Sequence, residues 1–180
     1  MSGVRDLPDP GFAGDDGGVD PSVTAALAAY DRDPDRLHAA TLAVLQHHRL
    51  LVPVVAILGE VAHDEQPDGT RLARDKASDM ATVLMRGRDG RTALLAFTST
   101  AALRRWNPEA RPVPVDVRRA AEAAVQDDAA AMLVDVAGPV TFVVETDDLR
   151  ELAQGHVLVE VAGNAPGAGV SGYGWATPGR

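Results

Sequence analysis

The chain has 180 residues, of which 46% are hydrophobic and only 4% aromatic, so it holds one domain with a core of Ala, Val and Leu. Its net charge of −9 argues against general nucleic-acid binding, which draws affinity from phosphate neutralisation. The lack of cysteine excludes disulfides, thiolate chemistry and Cys-based zinc or iron–sulfur sites, and no apolar run approaches the roughly 20 residues that cross a bilayer.

Residues 1–19 carry Asp6, Asp9, Asp15 and Asp16 among glycines and prolines, with almost nothing to bury. They are expected to form a disordered acidic tail. No apolar h-region follows Met1, so no signal peptide is expected and a cytoplasmic setting is the default. The folded domain is expected over 20–162. Asp20-Pro21 and Asp33-Pro34 each place a capping carboxylate before a proline at the first helical position, where the missing N–H costs nothing. The second helix gathers Leu37, Thr41, Val44, Leu45 and His48 on one face.

LLVPVVAILGE, from Leu50, is a strand by its β-branched content. Pro53 suggests the start of that strand or an edge position. Residues 62–78 are polar, turn at Pro67-Asp68-Gly69, and form a loop. DMATVLMR and RTALLAFT then flank Gly87-Arg88-Asp89-Gly90, a hairpin signal. A short helix runs to Trp106 and stops at Asn107-Pro108. ARPVPV is extended because Pro112 and Pro114 forbid helix, and Asp116 caps the Ala-rich helix that follows. AAAMLVDV and VTFVVE form a second strand pair around Gly138-Pro139. Thr146 is expected to cap DDLRELAQ, with Asp147 and Asp148 at the positive end of its dipole and Gly155 just past its end. HVLVEVA adds a strand, and 163–180 is expected to be a flexible Gly/Pro-rich tail. The elements define an α+β single domain: a mixed sheet of about five to six strands, two hairpins, and helices packed on it.

Chemical motifs are sparse. Ser99 sits in Phe97-Thr98-Ser99-Thr100-Ala101 without the glycines of a nucleophile elbow, so Thr98 or Ser99 is a helix cap. Gly167-Ala168-Gly169-Val170-Ser171-Gly172 spells a dinucleotide fingerprint but has no room for the helix and strand that must follow. His38, His47, His48, His63 and His156 have no metal-ligand spacing, although His63-Asp64-Glu65 is a small cluster. No cofactor and no metal is implied. Two groups remain as candidate sites. Arg104, Arg105, Trp106, Arg111, Arg118 and Arg119 crowd into a short stretch and form a candidate interaction patch for an acidic or aromatic partner, or else a solvated face. Lys76, Ser78, Asp79, Phe97, Thr98 and Ser99 form a candidate pocket at the 62–79 loop. The alanines of 116–126 offer a close-packing face for a homo-oligomer.

The order of segments resembles the SseB N-terminal-domain family, related to bacterial enhanced serine sensitivity protein B. The resemblance rests on Leu51-Val52-Pro53-Val54-Val55-Ala56, Asp75-Lys76-Ala77-Ser78-Asp79-Met80-Ala81, Phe97-Thr98-Ser99 with Leu103 and Trp106, Arg111-Pro112-Val113-Pro114-Val115, and the stretch from Asp135 to Phe142. It covers about residues 33–155, and the Ala, Arg and Gly bias suggests an actinobacterial member. The resemblance implies no reaction, cofactor or catalytic residue. Nothing after about residue 155 is expected to match the longer C-terminal region of some members. Together these readings make a non-enzymatic interaction or regulatory domain with an unidentified protein partner, neither nucleic acid nor membrane, the first expectation. A small-molecule-binding protein or enzyme with a pocket at Phe97 to Ser99 is the second.

Overall fold

The computed structural model describes residues 12, 14–57, 79–162 and 170–179. Two helices come first, α1 (Pro21–Tyr30) and α2 (Pro34–Leu45), capped by Asp20 and Asp33 as their Asp-Pro pairs foretell. The chain continues through β1 (Arg49–Ile57), β2 (Asp79–Thr82), β3 (Leu84–Arg86) and β4 (Thr92–Ala96) to α3 (Thr100–Trp106). Then come β5 (Arg111–Asp116), α4 (Val117–Gln126), β6 (Ala131–Val134), β7 (Phe142–Glu145), α5 (Thr146–Ala153), β8 (Val157–Ala162) and β9 (Val170–Ala176).

The strands order as β2-β1-β5, β3-β4-β6-β7 and β8-β9, with β4 and β6 parallel and every other pair antiparallel. The first two sheets join where Leu51 and Phe97 exchange backbone hydrogen bonds of 2.8 and 2.9 Å. The α+β class and both expected hairpins, β3–β4 and β6–β7, are present. The strand count rises to nine among the described residues. DMATVLMR bends at Val83 into two strands that serve different sheets, ARPVPV pairs as β5, and β9 is new.

Strand alternation divides the core in two. Leu50, Val52, Leu94, Met132, Val134 and Phe142 point to a first face, covered by α1, α2, α4 and α5. Leu51, Leu95 and Phe97 point to the second, covered by α3 through Ala102 and Leu103. Each face thus holds one fully buried phenylalanine among aliphatics. On the first face His38 stacks on Phe142 at 4.9 Å and bonds Asp148 of α5 at 3.0 Å, which ties α2 to α5.

Four expectations need correction. Pro53 lies inside the central strand β1, opposite Pro112. Its nitrogen faces the same side as that of Leu51, two residues earlier. There β1 changes neighbour from Phe97 to β2, whose pairing begins at Val54, so no ladder bond is lost. Within the expected N-terminal tail, residues 14–19 are fastened to the fold: Arg49 binds Asp15 at 2.6 and 2.9 Å, and the Gly17 carbonyl accepts the Thr100 N–H at 2.8 Å. Within the expected C-terminal tail, 170–176 is strand β9, because Tyr173 and Trp175 alternate with glycines and pack on the core. Thr146 is not a cap but the first residue of α5, and its hydroxyl donates to the Ala130 carbonyl at 2.5 Å.

Candidate functional site

The junction between β4 and α3 carries three of the candidate residues, Phe97, Thr98 and Ser99. Ser99 is the N-cap of α3, its Oγ accepting the Ala102 N–H at 3.1 Å. Thr98 does something else. Its N–H and its hydroxyl both donate to the carboxylate of Asp135, at 2.9 and 2.6 Å, and its carbonyl accepts from Arg49. Asp135 directly follows β6, beside the end of β4, its N–H donating to the Ala96 carbonyl at 3.0 Å. Its φ of +58° is left-handed, which turns its own carbonyl toward the Gly138 N–H at 2.7 Å. Thr98 and Asp135 are 5% and 6% exposed. Burial pushes the Asp135 carboxyl above the ordinary range, while the Thr98 hydrogen bonds and the nearby charge of Arg105 pull it back.

Arg49 completes the knot. Besides Thr98 and Asp15, its guanidinium reaches the Gly18 carbonyl at 2.6 Å. Its hydrogen bond is the main reason the Asp15 carboxyl lies below the ordinary range, with the Gly17 N–H adding to it against some desolvation. Sequence reading did not anticipate Asp135 or Arg49. The only local signal at Asp135 is its place before the Gly138-Pro139 turn. Among the described residues no buried side-chain nitrogen or oxygen lacks a partner. The knot therefore spends its polar groups on fastening three segments: the chain before α1, the end of β4 and the end of β6.

The structure describes only part of the candidate pocket. Phe97 is fully buried and Ser99 is spent as a cap. Lys76 and Ser78 lie outside the described residues, as does His63-Asp64-Glu65, while Asp79 opens β2 opposite Ile57. A recess of 380 Å³ does adjoin Thr98, but its walls are Asp15, Gly18, Asp20, His48 and Arg49. Of the other histidines, His48 meets Ser22 at 3.1 Å and His156 meets Glu151 at 2.6 Å. No group of three or more His, Asp or Glu residues that could hold a metal occurs among the described residues. Nor is any helix there long and apolar enough to cross a membrane. The fingerprint-like glycines do not lead into a helix; the second half of that motif starts β9.

The arginine patch divides in two. Arg104 and Arg105 are exposed on the last turn of α3, and Trp106 lies half-buried beside Phe97 with ring centroids 5.6 Å apart. Arg111 opens β5 opposite Val54, which strand alternation assigns to the first face. Arg118 and Arg119 sit on α4, in the layer on the opposite side of the sheet. Each has a partner on its own helix or cap: Arg118 with Glu122 at 2.9 Å and Arg119 with Asp116 at 3.6 Å. Only Arg104, Arg105 and Trp106 stand together. The alanines of α4 do not form an outer face either, since Ala120, Ala121 and Ala124 are buried in the core.

Next to α3 lies a feature that no motif announces. Helix α3 has seven residues and covers only one end of the second face. Further along, Met85, Ala93, Leu133 and Val143 occupy the same face by pairing register and remain half-buried. Met85, Leu133 and Trp106 all pack against the Phe97 cluster, so they form one apolar strip. Arg104 and Arg105 are exposed on α3, the helix that packs on the Phe97 end of this face. At the far end the exposed Arg91 and Glu145 face each other at 3.7 Å.

A family model described as SseB protein N-terminal domain matches residues 23–151, more than half of the chain. No curated protein and no solved structure was found to match the sequence.

Proposed function

The chain belongs to the SseB N-terminal-domain family, and we propose that it works there as a non-enzymatic protein-interaction domain. Its docking surface is the strip beside α3. One observation carries this reading: α3 packs on the Phe97 end of an apolar sheet face whose Met85, Leu133 and Val143 stay half-buried, and the same helix carries two exposed guanidiniums. Neither Arg104 nor Arg105 has an ion-pair partner among the described residues. An apolar centre with an aromatic residue and a charged rim is the usual anatomy of a protein interface. The fitting partner is a protein segment that inserts aliphatic or aromatic side chains over Met85 and Leu133 and sets carboxylates against the arginines. A chain without a single cysteine suits a cytoplasmic partner.

The test uses two double reversals. Arg104→Glu with Arg105→Glu reverses the exposed charges of α3. Arg118→Glu with Arg119→Glu changes an equally basic stretch on the opposite layer. Affinity capture from native cytoplasm, read by mass spectrometry, should show a partner lost with the first pair and kept with the second. A partner lost with both, or with neither, refutes the assignment.

A further inference from the structure

A cavity of 710 Å³ lies where α1 and α2 meet the β8–β9 hairpin, and it shares no residue with the α3 strip. Helix α1, PSVTAALAAY, has no charged residue, although it buries only Val23 and Leu27. A surface helix ordinarily turns a charged or polar face to water. Here Ala25 and Ala29 line the cavity instead. On α2, Leu42 and Leu45 enter the core, while Leu37 and Val44, two turns apart, form a second apolar stripe on the cavity side and stay half-buried. Between the helices the Thr41 hydroxyl donates to the Ala26 carbonyl at 3.3 Å, so its proton is already spent.

The hairpin forms the remaining wall, and Gln46 fixes it there. The Gln46 side chain accepts the Leu158 N–H at 2.8 Å and donates to the Leu158 carbonyl at 2.7 Å. The wall is therefore in place before any ligand arrives, which lowers the cost of binding. Its polar groups are Glu160 and Tyr173, paired across the ladder, with the Tyr173 hydroxyl donating to Glu160 Oε1 at 3.4 Å. Burial and the Glu160 charge push the Tyr173 hydroxyl above its ordinary range, so it stays a donor and the carboxylate stays the acceptor. One long hydrogen bond leaves most of the acceptor capacity of that carboxylate unused. Among the described residues Glu160 has no ion-pair partner.

We propose that this cavity binds a small organic amine, a protonated ammonium carried on an apolar body. The ammonium meets the Glu160 carboxylate at the hairpin wall, and the body lies over Leu37, Val44 and the alanines of α1. The volume falls within the roughly 300–1,000 Å³ of small-ligand sites and is too small for a folded partner. The apolar walls reward a hydrocarbon body. The unpaired carboxylate selects the sign of the charged end, because a cation gains a charge-assisted hydrogen bond there and an anion is repelled. His47 also borders the cavity, from the exposed turn after α2, and an anionic probe tests whether it selects the opposite sign.

Titration calorimetry of the full chain with n-octylamine, n-octanol and n-octanoate, which share one hydrocarbon body, provides the test. Octylamine should bind with a dissociation constant below about 1 mM, and octanol and octanoate about tenfold more weakly or worse. Glu160→Gln should weaken octylamine about tenfold and leave octanol unchanged. Ala25→Leu should weaken octylamine and octanol together, because it fills the cavity from α1. Ala25 is exposed and leucine suits a helix, so that variant keeps the fold, as an unchanged melting temperature verifies. Failure of octylamine to bind at 1 mM overturns the proposal. So does octanol or octanoate binding as tightly as octylamine, or an octylamine affinity that either variant leaves unchanged, which would place the amine elsewhere on an acidic surface.

Discussion

Replacing Asp135 separates the two things its side chain does. The carboxylate accepts the N–H and the hydroxyl of Thr98, and both residues are buried. Asp135→Ala strands two buried donors, at about 1–3 kcal/mol each, and leaves alanine at φ +58°, which costs a further 1–2 kcal/mol or so. Removing a buried charge returns part of this, so a net loss of about 2–4 kcal/mol is expected, or roughly 5–15 °C in melting temperature for a chain of this size. Asp135→Asn behaves differently. Its Oδ1 still accepts the Thr98 N–H, its amide can donate to the Thr98 hydroxyl, and asparagine tolerates the left-handed region. It also removes the desolvated charge. The carboxyl is raised in the folded protein, so the folded state holds that proton more tightly than the unfolded chain does. Wild-type stability therefore falls as pH rises from the ordinary carboxylate value, about 3.9, through the raised one. Asp135→Asn lacks that fall. Melting curves of the three proteins from pH 4 to pH 8 should place Asp135→Ala lowest throughout. The asparagine variant should gain on the wild type as pH rises. An alanine variant as stable as wild type refutes the knot. An asparagine difference that is flat with pH, or shrinks, refutes the sign.

Arg49→Ala should free residues 14–18, which limited proteolysis detects as a new cut before α1; Arg49→Lys should rescue little, because one ammonium cannot span Asp15, Gly18 and Thr98. The Asp15 carboxyl is held low by Arg49, so its contribution is present above the ordinary carboxylate value and lost as pH falls through the lowered one. The acid limb of the stability profile should flatten in Arg49→Ala, and an unchanged limb counts against the pair. Gly155→Ala should cost about 1–2 kcal/mol in denaturant melts through its φ of +80°, since an added Cβ touches only Arg118 Cδ, at 3.6 Å. Gln46→Ala should release the backbone of Leu158, read as faster exchange of that amide with little change elsewhere; uniform acceleration would mean that the hairpin is not separately anchored.

The parts of this fold that were legible in the sequence are those whose physics closes within a few residues. A cap needs a side chain and an N–H two or three positions on. Asp20, Asp33, Ser99 and Asp116 are all caps for that reason. The hairpin at 87–90 and the left-handed Gly155 are equally local. Thr146 departs from this rule: it lies inside α5, and its hydroxyl donates instead to the Ala130 carbonyl, 16 residues away. Such long-range partners explain the other misses. Thr98 and Asp135 lie 37 positions apart and meet only because β4 and β6 pair in parallel, with α3, β5 and α4 between them. The arginines misled in the opposite direction. Arg105 and Arg118 are close in sequence, yet β5 passes between their helices and sends them to opposite layers. β9 was hidden by its glycines, which suggest flexibility when counted. In register they are the flat positions opposite Val159 and Val161, and Tyr173 and Trp175 supply the burial that holds the strand. Composition averages over the two faces of a strand, and in β9 one face packs on the core while the other carries the glycines.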